Sequence, residues 1–216
     1  ITFGLYFRWA TAYFFIVFSY FFFLDKCNYN NHLYLFSLVS LLLCFTNADS
    51  SFSLGKANSR ATVPQWQIRI LQFQIGIVVF FGGVAKLNPF WFDLHPVIEF
   101  LADKSAATGF DFLNSKSAQY FIMLGGLVFD LSAIFLLLFK RTRVLGIVAA
   151  FLFNITNAWL FDDIYTFPLF MIFTLVLFLD EDEFRKLPLP RLRFNKKVPE
   201  STPHYLKTIW LSFILA

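Results

Sequence analysis

Lys86 is a residue whose type and position could support chemistry. It ends the apolar run VVFFGGVAK, residues 78–86, and the pair Asn88-Pro89 follows closely. An ionised side chain costs about 2.5–3.5 kcal/mol at the centre of a membrane helix, so it requires a partner or a function. In a dry apolar site the ammonium form loses its hydration, and a neutral amine can then act as a general base. A lysine whose end reaches water would stay charged and unreactive.

His32 is a second candidate group. It opens the apolar run HLYLFSL directly after Asn30 and Asn31. Amides at such a position can cap a helix and fix the orientation of the imidazole ring. A single histidine at a helix start is more often a structural hydrogen-bonding group than a catalytic one, so both interpretations stay open.

Asp130 lies within the apolar stretch GGLVFDLSA, and Gly126 precedes it by one helical turn. We expect this carboxylate to be hydrogen-bonded or ion-paired inside a helix bundle, with Arg69 or Lys86 as its partner. The polar residues predicted to have a structural role are Asp130, Arg69, Asn154 and Asn157.

The segment that carries Lys86 has a face of polar and small residues. Spacings of three and four place them on one side of a helix, and the set is Arg69, Gln72, Gly76, Val79, Gly83 and Lys86. One interpretation is a helix–helix seam, because glycines permit close approach of a second helix. The other is a ligand cavity, in which Lys86 points inward and the cofactor-binding residues are Gly83, Gly76, Gln72 and Asn31. The pattern alone favours the seam.

The composition places these residues in a membrane. Of 216 residues, 58% are hydrophobic and only 15% are charged, against about 25% charged in a typical soluble domain. The apolar runs are continuous rather than alternating, which predicts helices and excludes a transmembrane barrel. The net charge of +4 comes partly from the connector at 180–197. In a membrane protein such lysines and arginines favour the cytoplasmic face over a nucleic-acid partner, and an ordinary solvated loop is an equally good interpretation.

Run lengths predict an all-α fold, a polytopic transmembrane helical bundle of about six to seven membrane segments. The runs are 5–24, 33–46, 66–87, 119–139, 144–161 and 164–179, and another begins at Trp210. Residues 92–117 predict an interfacial excursion with short helices. We interpret residues 1–216 as a single transmembrane domain of a longer chain. Cys27 and Cys44 have no metal-ligand spacing, so no metal is predicted.

Several motifs resemble those of one membrane enzyme family, the vitamin K-dependent γ-glutamyl carboxylases. FLDKCNYNNHLYLFSL resembles F-L-L-D-K followed by N-N-H-x-Y-L, and VPQWQIRILQFQIGIVVFFGGVAKLNPFW resembles V-P-x-W…Q-I…G-V-x-K-L-x-x-x-W. GGLVFDLSAIFLLLF resembles G-G-L-x-x-D-L-S-A, and FNITNAWLF resembles the following helix less closely. The motifs keep their order across residues 20–180. The same architecture is called the horizontally transferred transmembrane (HTTM) domain and occurs widely in bacteria.

The resemblance implies a reaction. Lys86 would be the base that deprotonates reduced vitamin K or a menaquinol, and His32 would position reacting groups. Oxygen then adds to the quinol anion, and the strong base that results removes a γ-proton from a peptide glutamate, whose carbanion takes up CO₂. Such chemistry requires the exclusion of water. The implied partners are the lipid bilayer, a quinone and a glutamate-containing protein substrate, with O₂ and CO₂ as co-substrates. The chain departs from the family at Asn154, where a histidine is usual.

Two functions stay open. A carboxylase-like enzyme predicts that Lys86 and His32 share one cavity, whereas a non-catalytic HTTM-fold subunit of a larger membrane complex predicts that Lys86 is salt-bridged or exposed. A transporter is less supported, because the sequence has no internal repeat. We favour the enzyme, because both signature residues stand in their motifs. The frequent Phe, Asn, Lys and Ile are typical of an AT-rich bacterial genome and predict a bacterial inner membrane rather than endoplasmic reticulum.

Overall fold

The computed structural model describes residues 6–24, 31–49, 63–161, 165–180 and 183, with only the backbone at Asn31. These residues form helices, turns and short irregular links, without a strand. The α-helices are α1 (Phe7–Leu24), α2 (Asn31–Cys44), α3 (Gln65–Ala85), α4 (Pro89–Phe92), α5 (His95–Thr108), α6 (Lys116–Leu138), α7 (Arg143–Leu160) and α8 (Thr166–Thr174). Two 3-10 helices, Asp111–Asn114 and Leu175–Phe178, follow α5 and α8.

The all-α prediction is confirmed for this part of the chain. Each predicted apolar run up to residue 179 coincides with helical structure to within three residues at either end. Four helices, α1, α3, α6 and α7, are long and apolar enough to cross a membrane, while His32–Cys44 and Thr166–Phe178 are shorter apolar helices. The predicted count of six to seven segments is therefore not confirmed. The segment that begins at Trp210 lies outside the described residues.

The described residues fall into two compact units, one within Ile1–Leu71 and one within Gln72–Leu187. In the first unit α1 packs against α2. Their contact includes a 2.6 Å hydrogen bond between the hydroxyls of Ser19 and Ser37. Arg8, near the start of α1, donates a 2.7 Å hydrogen bond from Nη2 to Oδ1 of Asn47. The Arg8 guanidinium is thus held by a polar residue beyond the end of α2.

In the second unit α6 packs against α7, and α7 against α8. The approach of α6 and α7 requires Gly146, because a Cβ atom there would lie 2.9 Å from the carbonyl carbon of Leu136. Stacked rings of Phe129 and Phe153, with centroids 4.1 Å apart, join the same two helices. These contacts fix the register of α6, which carries Asp130.

Residues 89–114, here called the connecting segment, join α3 to α6 through α4, α5 and the first 3-10 helix. Asn88 sets its first turn. The Asn88 side chain donates from Nδ2 to the carbonyl of Ala85, at 2.6 Å, and its Oδ1 accepts from the backbone N–H of Trp91, at 3.0 Å. Asn88 therefore closes α3 and caps α4, and Pro89 suits the first helical position because its missing N–H would be unpaired there.

Helix α5 attaches the connecting segment to the bundle. Its Val97 and Leu101 are fully buried and form a core cluster with Met123 of α6 and Leu160 of α7. The helix ends at Gly109, whose φ of +74° is a left-handed conformation that glycine adopts without strain. The prediction of short helices between the third and fourth long runs is confirmed by these elements.

Candidate functional site

Lys86 and Asp130 form an ion pair between the end of α3 and the middle of α6. The Lys86 Nζ donates to Oδ2 of Asp130. The exposed fraction of the Lys86 side chain is 24%, and that of Asp130 is 10%. The prediction that Asp130 is paired within the bundle is confirmed, and its partner is Lys86 rather than Arg69, whose side chain is exposed.

Glycines on α3 allow this pair to form. A Cβ atom at Gly83 would lie 3.0 Å from Cβ of Asp130 and 2.9 Å from Cδ2 of Leu131. A Cβ at Gly82 would lie 3.9 Å from Oδ2 of Asp130, which is an ordinary contact. The two helices therefore approach closely where the carboxylate must reach the amine.

Trp91 covers the amine from the connecting segment. Its ring centroid lies 4.9 Å from Nζ of Lys86, which is a cation–π distance. Its Nε1 donates to the carbonyl of Met123, at 3.3 Å, and its backbone N–H is held by Asn88. One hydrogen bond therefore holds the indole and another holds the backbone of the residue that contacts the lysine.

Gly126, which is buried, brings the backbone of α6 close to these groups. A Cβ atom at this position would lie 3.8 Å from Nζ of Lys86 and 3.9 Å from Cζ2 of Trp91. We define the Lys86 site as Lys86, Trp91, Gly126 and Asp130. The Lys86 amine is bonded to the Asp130 carboxylate, lies over the Trp91 ring and is near the backbone of Gly126.

The polar and small face of α3 contacts neighbouring elements. The Gln72 amide donates from Nε2 to the carbonyl of Leu177, at 2.6 Å. A Cβ atom at Gly76 would lie 2.2 Å from Cδ1 of Ile134 on α6, so that side chain fills the space. At Gln72, Gly76 and Gly83 the contacts are those of a helix seam. Cofactor binding by these residues stays a prediction that these contacts do not support.

Asn31 and His32 are the first two residues of α2. The backbone places the imidazole at a helix start, as the sequence indicated, and the Asn31 side chain lies outside the described residues. His32 belongs to the first compact unit and Lys86 to the second. The shared cavity of the two groups therefore stays a prediction.

The two asparagines of α7 differ in their burial and hydrogen bonds, and their predicted structural role stays a prediction. Asn154 is buried, and its Nδ2 donates to the carbonyl of Ala150, at 2.8 Å. Asn157 is half-buried, and its carbonyl accepts the backbone N–H of Phe161 at the end of α7, at 3.0 Å. The first of these hydrogen bonds lies within α7 and the second closes its last turn.

Two members of the Lys86 site were not selected from the sequence as site residues. Trp91 follows Lys86 by five positions, beyond the Asn88-Pro89 break, so helical spacing could not relate them. Gly126 precedes Asp130 by four positions and was identified only as a point of close approach. The sequence signal that could have identified Trp91 is its place at the end of the K-L-x-x-x-W pattern that begins at Lys86.

The contacts of the Lys86 site are those that suit an ammonium group. A carboxylate in contact and an aromatic face both stabilise the ammonium form. Lys86 could act as a base only after its proton moves, and Asp130 is an acceptor already in place. This salt bridge is what the non-catalytic hypothesis predicted. Over the part of the chain that the structure describes, no three His, Cys, Asp or Glu residues gather into a metal site.

Comparison with known proteins identifies the architecture. A sequence model described as the HTTM domain matches residues 1–182, which include every helix described above. No solved structure matches the chain.

Proposed function

The chain belongs to the HTTM domain family, and from this premise we propose that it is a membrane-embedded, carboxylase-like enzyme whose base is the Lys86–Asp130 pair. The proposal rests on the HTTM match, within which Lys86 stands in its G-V-x-K-L motif. The Lys86–Asp130 contact, which the non-catalytic hypothesis also predicts, adds a proton acceptor beside this amine. The substrate class is a reduced quinone, such as vitamin K hydroquinone or a menaquinol.

Asp130 has a defined role in this proposal. The resting pair is ionic, and transfer of the ammonium proton to the carboxylate gives a neutral amine and a neutral acid. Removal of water favours the neutral forms, because both charged forms lose hydration. A ligand that covers the exposed part of Lys86 therefore promotes the proton transfer that frees its amine. The buried Asp130 keeps the proton away from solvent.

The lining of the Lys86 site suits a quinol head group. A ligand could reach Nζ at the exposed part of Lys86, where Gly126 presents no side chain and Trp91 adds an apolar wall. When bound, a quinol would supply the oxygen-dependent chemistry by which carboxylases of this kind modify glutamate with O₂ and CO₂. The chain's own contribution is to accept one proton at Nζ and to keep the reacting oxygen dry.

The second candidate is a non-catalytic membrane subunit of a larger complex. The specific observation in its favour is that the ion pair and the α3–α6 seam account for the Lys86 site without a ligand. In either case we propose an integral protein of a bacterial inner membrane, in contact with the bilayer and without a nucleic-acid partner.

One assay separates the two candidates. The full-length protein in lipid nanodiscs is supplied with reduced vitamin K or menaquinol, O₂, labelled CO₂ and a glutamyl peptide. We expect incorporation by the unmodified protein and a loss of at least about 100-fold in Lys86→Ala, the scale of a lost general base. Lys140→Ala is the matched control, because that lysine lies two residues beyond the end of α6 and its side chain is 82% exposed. No incorporation and no quinol oxidation by the folded protein would favour the non-catalytic subunit over the enzyme.

A smaller substitution tests whether the quinol approaches Lys86 past Gly126. Gly126→Ala adds one methyl group at ordinary contact distance from Nζ and Trp91, so it should fold normally. We expect a raised KM for the quinol. Gly125→Ala is its control, because a Cβ there meets no atom within 4 Å. Equal KM values in the two variants would exclude approach over Gly126.

A further inference from the structure

The connecting segment carries exposed aromatic rings at both ends. They are Phe90 and Phe92 on α4, and Phe110 and Phe112 at the first 3-10 helix, and between 45% and 71% of each is exposed. Phe90 stacks on His95, with centroids 5.2 Å apart, yet remains 58% exposed. Four large apolar rings on one short connection require a partner other than water.

The rings lie beside the ends of candidate membrane spans. Phe90 and Phe92 follow the last residue of α3 by five and seven positions, and Phe112 precedes the first residue of α6 by four. Phe110 contacts Trp159, with ring centroids 6.4 Å apart, and Trp159 stands in the last turn of α7. Three candidate spans therefore end within a few residues of these rings or in contact with one of them. Aromatic residues at span ends are typical of the membrane–water interface.

Helix α5 lies between the two pairs of phenylalanines. It has an apolar face and an acidic face, and these determine how deep it can lie in the membrane. Its inner face is buried in the core cluster, while Glu99 and Asp103 are exposed on its other side. Carboxylates are costly in hydrocarbon, so this outer side must face water. A helix with aromatic residues beside it and carboxylates outward fits the plane of an interface and not the bilayer interior.

We propose that the connecting segment rests on the surface of the bilayer, with its four phenylalanines among the lipids and the carboxylates of α5 in water. The occupant of this surface is lipid, because the segment continues directly into helices that are long and apolar enough to cross the membrane. Its exposed acidic residues give it no preference for anionic head groups, so contact depends on apolar insertion. The two pairs of phenylalanines would hold the connecting segment to the bilayer at both of its ends.

This anchor has a consequence for the Lys86 site. Trp91 stands between Phe90 and Phe92 on one turn of α4, and it faces Lys86. Insertion of the flanking rings into lipid therefore fixes the turn that carries the indole. The inference holds for either proposed function, because it concerns only the position of the segment.

The test places an environment-sensitive fluorophore on single cysteines in the full-length protein, with the native cysteines replaced. Labels at Phe112→Cys and Phe92→Cys report the two aromatic pairs, and a label at Asp103→Cys is the matched control on α5. The protein is reconstituted in phosphatidylcholine nanodiscs containing lipids spin-labelled near the head group or deep in the acyl chain. We expect several-fold stronger quenching of the two Phe-site labels by the shallow spin label than of the Asp103-site label. Aqueous iodide should quench in the opposite order.

Two results would overturn the proposal. Iodide could quench all three labels alike, which would place the rings in water. Alternatively, the Phe-site labels could be shielded from iodide and from both spin-labelled lipids, which would identify a protein partner or a second copy on this surface. Because all three positions are exposed, the cysteine substitutions should leave the fold intact, and circular dichroism of each labelled protein checks this.

Discussion

Removal of the carboxylate from the Lys86–Asp130 pair should destabilise the second compact unit. Asp130→Asn keeps the size of the side chain and leaves the ammonium of Lys86 without its counter-charge. Loss of one partner costs about 3–5 kcal/mol in a fully buried pair and about 0–1 kcal/mol in an exposed one. Since Lys86 is 24% exposed and Asp130 10%, we expect about 2–3 kcal/mol, nearer the buried limit.

The assay is a double-substitution cycle with thermal unfolding in detergent. For a chain of this size, 1 kcal/mol corresponds to about 2–4 °C in Tm, so Asp130→Asn should lower Tm by about 4–12 °C. Lys86→Met with Asp130→Asn removes both charges, and we expect the double variant to be more stable than the sum of the single effects predicts, by about 2 kcal/mol. Lys140→Met, which removes an exposed charge 3.6 Å from Asp180, should change stability by less than about 0.5 kcal/mol.

Additive effects in the cycle, or a Tm change for Asp130→Asn no larger than that of Lys140→Met, would refute the energetic role of the pair. The same variants bear on function. If Lys86 is the base, the double variant recovers stability but not quinol-dependent turnover. Recovery of both would show that the pair only supports the fold.

Two further outcomes follow from single contacts. Gly76→Ala should lower the free energy of unfolding by about 1–3 kcal/mol, because its Cβ would lie 2.2 Å from Cδ1 of Ile134. The change in Tm measures this effect, and Gly125→Ala, where a Cβ meets no atom within 4 Å, is the control. Equal Tm values for the two variants would contradict a close helix seam at Gly76. The hydrogen bond from the Arg143 guanidinium lowers the pKa of Asp180. This depressed folded-state pKa contributes stability above the unfolded value of about 4 and loses it as pH falls through the folded value. The Tm difference between the unmodified protein and Asp180→Asn should therefore shrink below about pH 4, and a difference that does not change with pH would contradict the contact.

The long helices were predictable because continuous apolar runs of sufficient length leave few alternatives in a membrane. The end of α3 was also predictable, since Asn88-Pro89 disfavours continuation of a helix. The partner of Asp130 was predicted only as one of two cations. The choice of Lys86 depends on the register between α3 and α6, and spacing within a single helix carries no information about that register.

The face of α3 shows the same limit. Spacing placed Gly76 and Gly83 on one face of α3. The two interpretations of that face, a helix seam or a ligand cavity, differ in whether side chains of α6 fill the space opposite the glycines. The structure shows that Ile134 and Leu131 fill it, and the sequence could not. Lys104 was not identified at all, because its neighbours Asp103 and Ser105 resemble a solvated stretch. It is buried, with Nζ 5.3 Å from the Trp159 ring centroid, and it lies three positions after the fully buried Leu101. Helical spacing from that leucine was the available signal.

The position of Lys86 explains why a base function would have to depend on ligand binding. Lys86 lies one residue beyond α3, and its backbone N–H still bonds to the carbonyl of Gly83, at 3.0 Å. Its ammonium therefore lies near the negative end of the helix dipole, which stabilises a cation as Asp130 and Trp91 also do. Three interactions favour the charged form at rest. If Lys86 is the base, we expect binding of a quinol, which would remove water from the exposed part of the site, to be coupled to transfer of this proton.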